Sequence, residues 1–183
     1  MKICMIGTGY VGLVSGTCFA DIGNKVYCVD KNKLKIDNLN KGISPIYEPG
    51  LDELIEKNHR AGRLIFTTNL SKAVKNSNLI FICVGTPNKK NSQEVDLSFV
   101  FNAVKEIAKS TKNKKIIITK STVPVTTGDQ IENILKKLNK KNFEVVSNPE
   151  FLREGEAIRD FRYPDRIIVG SDNKNIFKTI KNL

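Results

Sequence analysis

The sequence has a single histidine, His59, and four cysteines, Cys4, Cys18, Cys28 and Cys83, with no C-x-x-C pair among them. One imidazole cannot build a metal site, and the thiols show no metal-ligand spacing, so no metal is expected. All four cysteines lie inside apolar runs and read as buried free thiols, which pack as small hydrophobes. His59, beside Arg60 in a polar helical stretch, reads as a surface residue. No window approaches the roughly 20 apolar residues needed to cross a bilayer, which removes a membrane span. The opening MKICMIGTGYVG is apolar enough to resemble a short signal peptide, but Gly7 and Gly9 break it and no cleavage site follows. A buried strand and a cytoplasmic location are expected instead. Internal repeats and low-complexity tracts are also missing.

What remains is the composition of a globular chain: 183 residues, 40% hydrophobic and 27% charged, a size that fits one domain spanning residues 1–183. The formal charge of +11 raises the question of a nucleic-acid partner. The lysines read as scattered. Groups such as Lys112, Lys114 and Lys115, or Lys136, Lys137, Lys140 and Lys141, fall at the ends of expected helices, where cations complement the helix dipole. No nucleic-acid partner is expected, and a basic surface attracts an anionic nucleotide only in a general way.

Short β-branched runs alternate with longer amphipathic stretches, the pattern of successive βαβ units. The fold expected is α/β, a Rossmann-type doubly wound, mainly parallel sheet with helices on both faces. Strands are expected at 2–6, 25–29, 64–67, 79–84, 115–119, 144–147 and 166–170, and helices at 11–22, 33–40, 51–61, 70–75, 97–110, 127–138 and from Asn175 onward. Residues 41–50, KGISPIYEPG, must form an irregular connection ending at a helix start, and 89–94, KKNSQE, a second polar loop expected to be mobile. The last segment, NIFKTIKNL, has helical spacing without a stop signal, so the chain reads as ending in mid-architecture.

Four motifs sit where strands end. Gly7, Thr8, Gly9, Tyr10, Val11 and Gly12 follow a strand and open a helix. The first glycine permits the turn, the second lets the backbone approach a pyrophosphate, the third lets helix and strand pack closely, and the helix N-terminus holds the phosphates. The second strand ends in Asp30, eighteen residues beyond Gly12. A carboxylate there accepts hydrogen bonds from an adenosine ribose and repels a ribose phosphate, which favours NAD over NADP. Lys31, Lys33 and Lys35 soften that preference, and a glycine turn serving FAD, a methyl donor or no ligand is the alternative. Val84, Gly85, Thr86 and Pro87 end an apolar strand and should border the dinucleotide, or simply turn the chain. Ser121 and Thr122, before Val123 and Pro124, could hold a water, a ribose or a reacting oxygen, or cap the next helix. Glu150 and Glu154, in Asn148-Pro149-Glu150-Phe151-Leu152-Arg153-Glu154-Gly155, are candidate acid or base groups, though exposed glutamates are common.

Taken in order, GTGYVG with Asp30, SPIYEPGLDEL, VGTP, STVP, and NPEFLREGEAI followed by PDRIIVG resemble the UDP-glucose/GDP-mannose dehydrogenase family across essentially the whole chain. The IYEPG form and the Pro-Asp-Arg stretch look most like its bacterial UDP-glucose enzymes, with GDP-mannose or UDP-N-acetylmannosamine enzymes as lesser matches. The resemblance implies a two-step oxidation of a nucleotide sugar's primary alcohol to a carboxylate with two NAD. It also implies that Gly7 to Gly12, Asp30, Lys35, Val84 to Thr86, Thr122 and Glu154 face the cofactor and that Glu150, Phe151, Leu152, Arg153 and Glu154 border the sugar nucleotide. Thr122 and Glu150 match residues thought to position water and assist proton transfer when a thioester is hydrolysed. The family's nucleophilic cysteine, its catalytic lysine and asparagine, its dimerising central helix and its sugar-nucleotide domain have no counterpart among these residues. The four cysteines present fall in the wrong motifs for the nucleophile. NAD binding without full turnover is therefore expected, with a stand-alone NAD or nucleotide-sugar sensor as the competing reading.

Overall fold

Six strands and eight helices alternate along residues 1–183 of the computed structural model: β1 Lys2–Ile6, α1 Tyr10–Asp21, β2 Lys25–Val29, α2 Lys33–Asn40, α3 Leu51–Arg60, β3 Leu64–Thr67, α4 Leu70–Asn76, β4 Leu79–Ile82, α5 Ser98–Ser110, β5 Lys115–Thr119, α6 Thr127–Lys137, β6 Phe143–Ser147, α7 Ala157–Arg162 and α8 Ile176–Lys181. The strands form one sheet in the order β3-β2-β1-β4-β5-β6, every pairing parallel. The chain steps outward from β1 to β3, then crosses back to β4 and steps outward on the other side. The loops leaving β1 and β4 therefore diverge, and a crevice opens between them at the carboxyl edge of the sheet.

Both faces are covered, which is why the strands are apolar throughout instead of alternating with polar residues. In β1, Ile3 and Met5 join Leu13, Val14 and Val26 on one face, while Cys4 and Ile6 join Ile80, Val104 and Ile107 on the other, all essentially removed from water. Full burial of each such aliphatic side chain is worth about 2 kcal/mol, which anchors β1 and β4 as the rigid floor of the crevice. Helix starts are fixed by short polar side chains. Asn32 Oδ1 accepts the Lys35 amide at 3.0 Å and Asn69 Oδ1 accepts the Lys72 amide at 2.9 Å. The 41–50 connection is irregular as expected and delivers the chain to α3 through Gly50 at φ 78°.

The seventh strand expected at 166–170 does not form. Only Gly170 meets β6, through one antiparallel bridge to Ser147, and Ile167 and Ile168 stay exposed. Their β-branched pattern has no second layer to pack against, so propensity alone does not order them. Just before it the chain makes α7, a six-residue helix too short to show a period in the sequence. His59 is half-buried, not a surface residue, with Nδ1 3.1 Å from the Leu64 carbonyl and its ring against Phe66. The 89–94 loop is closed by an Asn88–Val95 bridge and a Lys89–Glu94 ion pair.

Candidate functional site

The turn from β1 into α1 is shaped by what its glycines exclude. Gly7 sits at φ +101°, and a Cβ there would lie 2.5 Å from the Cys83 carbonyl oxygen; a Cβ on Gly12 would lie 2.0 Å from the Gly7 carbonyl oxygen. Both positions are wedged between α1 and the end of β4. Gly9 differs, since its missing Cβ faces open space with nothing within 4 Å. The amides of Tyr10, Val11 and Gly12 in the first turn of α1 have no acceptor in the chain. A smooth backbone concavity lined by unpaired N–H donors at a helix N-terminus is a cradle for a diphosphate.

Asp30 stands beside it at the end of β2. Its Oδ2 accepts the Thr8 hydroxyl at 2.7 Å, the Thr8 amide at 3.0 Å and Lys35 Nζ at 3.4 Å, while Oδ1 accepts only the Asn32 amide at 3.0 Å. Burial by itself would raise the carboxyl, but the Asn32 amide, the Thr8 hydroxyl and amide, and the Lys35 ammonium together hold it below the usual carboxylate range. The carboxylate is thus ionised and fixed, with acceptor capacity left on Oδ1 for a ribose hydroxyl. Lys35 acts here by neutralising Asp30.

At the ends of β4 and β5 the predicted residues divide into supports and surfaces. Ser121 is buried, and its hydroxyl donates to the Val84 carbonyl at 2.7 Å, so it fixes the Val84–Pro87 loop. Thr86 donates its hydroxyl to the Thr122 carbonyl at 3.0 Å, which joins the two loops and leaves the Thr122 side chain exposed.

The segment after β6 carries the remaining candidates from the sequence. Glu150 is half-buried and turns its carboxylate onto the amide of Leu152 at 2.6 Å, while Glu154 is exposed. Glu150, Phe151, Leu152 and Arg153 border a cleft of about 930 Å³ whose lining excludes Thr122, Glu154 and the glycine turn. Arg153 is committed elsewhere: its guanidinium and amide grip Asp160 through three contacts of 2.6–3.1 Å. The same cleft exposes Lys120, a buried ammonium whose single acceptor is Asn148 Oδ1 at 3.3 Å. Burial lowers its proton affinity, offset in part by Cys83 and Glu150. Lys120 falls outside the motifs read from the sequence, since a lysine preceding Ser-Thr carries no sign that it points inward, and Asn148 enters there only as the first residue of the Glu150 motif.

The largest omission is Glu48. This carboxylate, 5% exposed, accepts the Tyr10 hydroxyl, the Gly155 amide at 2.8 Å and the Ala157 amide at 2.8 Å. Burial, reinforced by the bond to Glu48, keeps the Tyr10 phenol protonated, and its hydroxyl also lies 3.3 Å from the Arg153 carbonyl. One side chain from the 41–50 loop therefore fastens the glycine turn to the Glu150–Glu154 segment. The one available signal was a lone acid between Tyr47 and Pro49 in a rigid turn.

All four cysteines are buried and unpaired, as the sequence indicates. Burial pushes the Cys18 and Cys83 thiols up to about 12 and that of Cys28 well above its ordinary value, so the nucleophilic thiolate is negligible near neutrality. A raised thiol pKa leaves the protonated form in excess until the pH reaches that value. Iodoacetamide at mildly alkaline pH should leave the folded chain unmodified while alkylating all four cysteines in urea, read by intact mass. Fast labelling of any one in the folded state would contradict this burial.

The cradle, the ribose-ready carboxylate and the crevice at which strand order reverses fit a dinucleotide with two phosphates. The chain matches, over residues 1–183, the family model described as "UDP-glucose/GDP-mannose dehydrogenase family, NAD binding domain". It is 54% identical over 176 residues, 96% of its length, to the UDP-glucose 6-dehydrogenase of Rhizobium meliloti, and 50% identical over its full length to the UDP-glucose 6-dehydrogenase TuaD of Bacillus subtilis. It covers 40% of each. The crystal structure of a GDP-mannose dehydrogenase ternary complex from Pseudomonas aeruginosa superposes on the whole chain with a TM-score of 0.94 at 37% identity, the chain covering 43% of that protein. The chain thus spans about 40% of the length of the curated relatives it matches and belongs to the UDP-glucose/GDP-mannose dehydrogenase family, as its NAD-binding domain.

Proposed function

We propose that this chain supplies the NAD-holding part of a cytoplasmic nucleotide-sugar dehydrogenase, with UDP-glucose as the substrate best supported and UDP-glucuronate as the product. The observation carrying the reading is the open face at Gly9 beside a fixed, ionised Asp30, at the point where the sheet order reverses. NAD, when bound, supplies the hydride acceptor. The chain's own residues do the rest of the holding: the Tyr10, Val11 and Gly12 amides take the diphosphate, Asp30 Oδ1 takes the adenosine ribose, and the Val84–Pro87 loop borders the nicotinamide half. Thr122 and Glu150, a hydroxyl and a carboxylate at neighbouring strand ends, are suited to hold a water and move its proton. A sugar nucleotide would lie along Glu150, Phe151, Leu152 and Glu154. Arg153 serves by holding Asp160, not by meeting the ligand. Two UDP-glucose enzymes at 54% and 50% identity support the substrate. The nucleophile, the remainder of the sugar-nucleotide pocket and the oligomer contacts belong to polypeptide beyond these residues.

Calorimetric titration with NAD tests the first part. Binding is expected, and Asp30→Ala should weaken it at least about tenfold, the loss of one charge-assisted hydrogen bond of ~1.5 kcal/mol. The same substitution should narrow the preference for NAD over NADP. No heat from the unaltered chain at millimolar NAD would overturn the proposal. Incubation with UDP-glucose and NAD should give no sustained NADH, because no cysteine here is accessible; steady turnover would show that a nucleophile is present after all.

A further inference from the structure

Some of the lysines that look scattered in the sequence share one edge of the fold. In a parallel βαβ chain each helix runs back against the strands, so helix C-termini and strand starts share the edge of the sheet opposite the dinucleotide cradle. Lys2 and Lys25 begin β1 and β2 and are register partners, and Lys75 stands in the last turn of α4. With Met1, Asn76 and Asn78 these three lysines line one open concavity of about 570 Å³. Lys112 and Lys141, after α5 and α6, stand on the same edge, where Asn142 reaches the Lys112 carbonyl and Lys140 Nζ reaches the Thr111 carbonyl at 2.8 Å. Lys2, Lys25, Lys75, Lys112 and Lys141 are exposed and none has a carboxylate partner. Asp21, Glu56 and Glu144 are paired with other cations, Lys57 and Arg162, Arg60 and Lys114. Asp30, Glu48, Glu150 and Glu154 all lie toward the other edge. The helix dipole accounts for Lys75 but not for Lys2 or Lys25, which start strands.

We propose that this basic edge docks on an anionic lipid bilayer. Charge complementarity alone would admit any polyanion; side-chain type selects the bilayer. No arginine fork and no aromatic ring lines the concavity, so it lacks the groups that grip a nucleic-acid backbone bidentately or stack its bases. Lysine ammonium groups on flexible stems suit a fluid layer of headgroups. Exposed apolar side chains stand among them, Met1 at the start of β1 and Leu138 closing α6. Contact of this kind requires no spanning helix, and the chain has none long and apolar enough to cross a membrane. The cradle at the opposite edge would face away from the lipid and remain open to cofactor.

Flotation with sonicated vesicles tests the proposal, comparing phosphatidylcholine alone with mixtures containing about a third phosphatidylserine. The full chain should float with the anionic vesicles at low salt, remain below the neutral ones, and dissociate as salt rises through the physiological range. Each lysine at such a surface is worth about fivefold in partition, so K2Q/K25Q/K75Q should lower it roughly a hundredfold while leaving NAD affinity unchanged. The triple variant K33Q/K89Q/K90Q removes the same charge from the cradle side and should keep nearly all binding. Equal losses in the two variants would show a diffuse charge effect and overturn the assignment. So would absence of flotation at low salt, or tighter binding to single-stranded RNA than to the vesicles. Because NAD binding is measured on the same samples, failure here is distinct from failure of the proposed function.

Discussion

Alanine in place of Gly12 should cost about 3 kcal/mol of folding stability, at the severe end for an overpacked site, and appear as a large fall in the urea midpoint. Helical backbone tolerates alanine, so the penalty is steric: the new Cβ would sit 2.0 Å from the Gly7 carbonyl oxygen and 3.1 Å from the Cys83 Cβ. Gly7 cannot yield, because it is itself pressed against the Cys83 carbonyl. Separation of α1 from β1 and β4 is the only relief, and it would open the core around Leu13 and Val14. Gly9→Ala is the informative contrast. Its Cβ meets nothing, so stability should change by no more than about 0.5 kcal/mol, while NAD affinity should fall at least about tenfold because the methyl occupies the diphosphate's place. Undiminished binding by the Gly9→Ala chain would mean that the dinucleotide lies elsewhere.

Glu48→Ala should be comparably damaging for a different reason. It leaves the Ala157 amide without an acceptor and the Tyr10 hydroxyl and Gly155 amide with only their longer contacts, to the Arg153 carbonyl at 3.3 Å and to the Tyr10 oxygen at 3.2 Å, and unsatisfied donors cost about 1–3 kcal/mol each. Water entering beside exposed Gly155 will recover part of this, so a net loss of about 3 kcal/mol is expected by denaturant titration. Glu48→Gln keeps one acceptor oxygen and sets an amide NH2 against a backbone donor; about half that loss should follow. Amide exchange separates a local role from a general one. Exchange at Gly155 and Ala157 should accelerate far more than in β1 or β4, and uniform acceleration would mean that Glu48 acts on the core and not as the link between the glycine turn and the 150–157 segment.

The parts of the molecule legible in the sequence are those whose causes are local. Gly7, Gly9 and Gly12 announce a turn because no other residue fits it, and Asp30 gains meaning from its spacing behind a strand. β1, β2 and β4 are continuous apolar runs because both faces are covered, and that covering is implied by the helices between them. Glu48 was illegible because its partners are 38, 107 and 109 residues away and buried glutamates are rare. Residues 166–170 carry strand propensity, yet whether a strand forms depends on what packs on it. Ser121 and Arg153 stand out in the sequence as candidates, but only coordinates show that the Val84 carbonyl and Asp160 engage their polar groups. Lysines at helix ends are legible in the sequence, but which of them share an edge of the sheet is set by topology.

The incomplete strand at 166–170 has a consequence for handling the protein. β6 is the outermost strand, and beyond the Ser147–Gly170 pair, the Ser171 hydroxyl on the Val145 carbonyl and the Phe143 amide on the Lys140 carbonyl, no strand covers its outer edge. Next to it stand the uncovered side chains of Ile167 and Ile168. An open edge beside apolar residues is a template for strand addition, and a second molecule can present the same edge to it. In concentrated solution the first event of heat- or time-driven precipitation should be edge-to-edge pairing at Phe143–Val146, well before the glycine turn or the sheet core loses its shape.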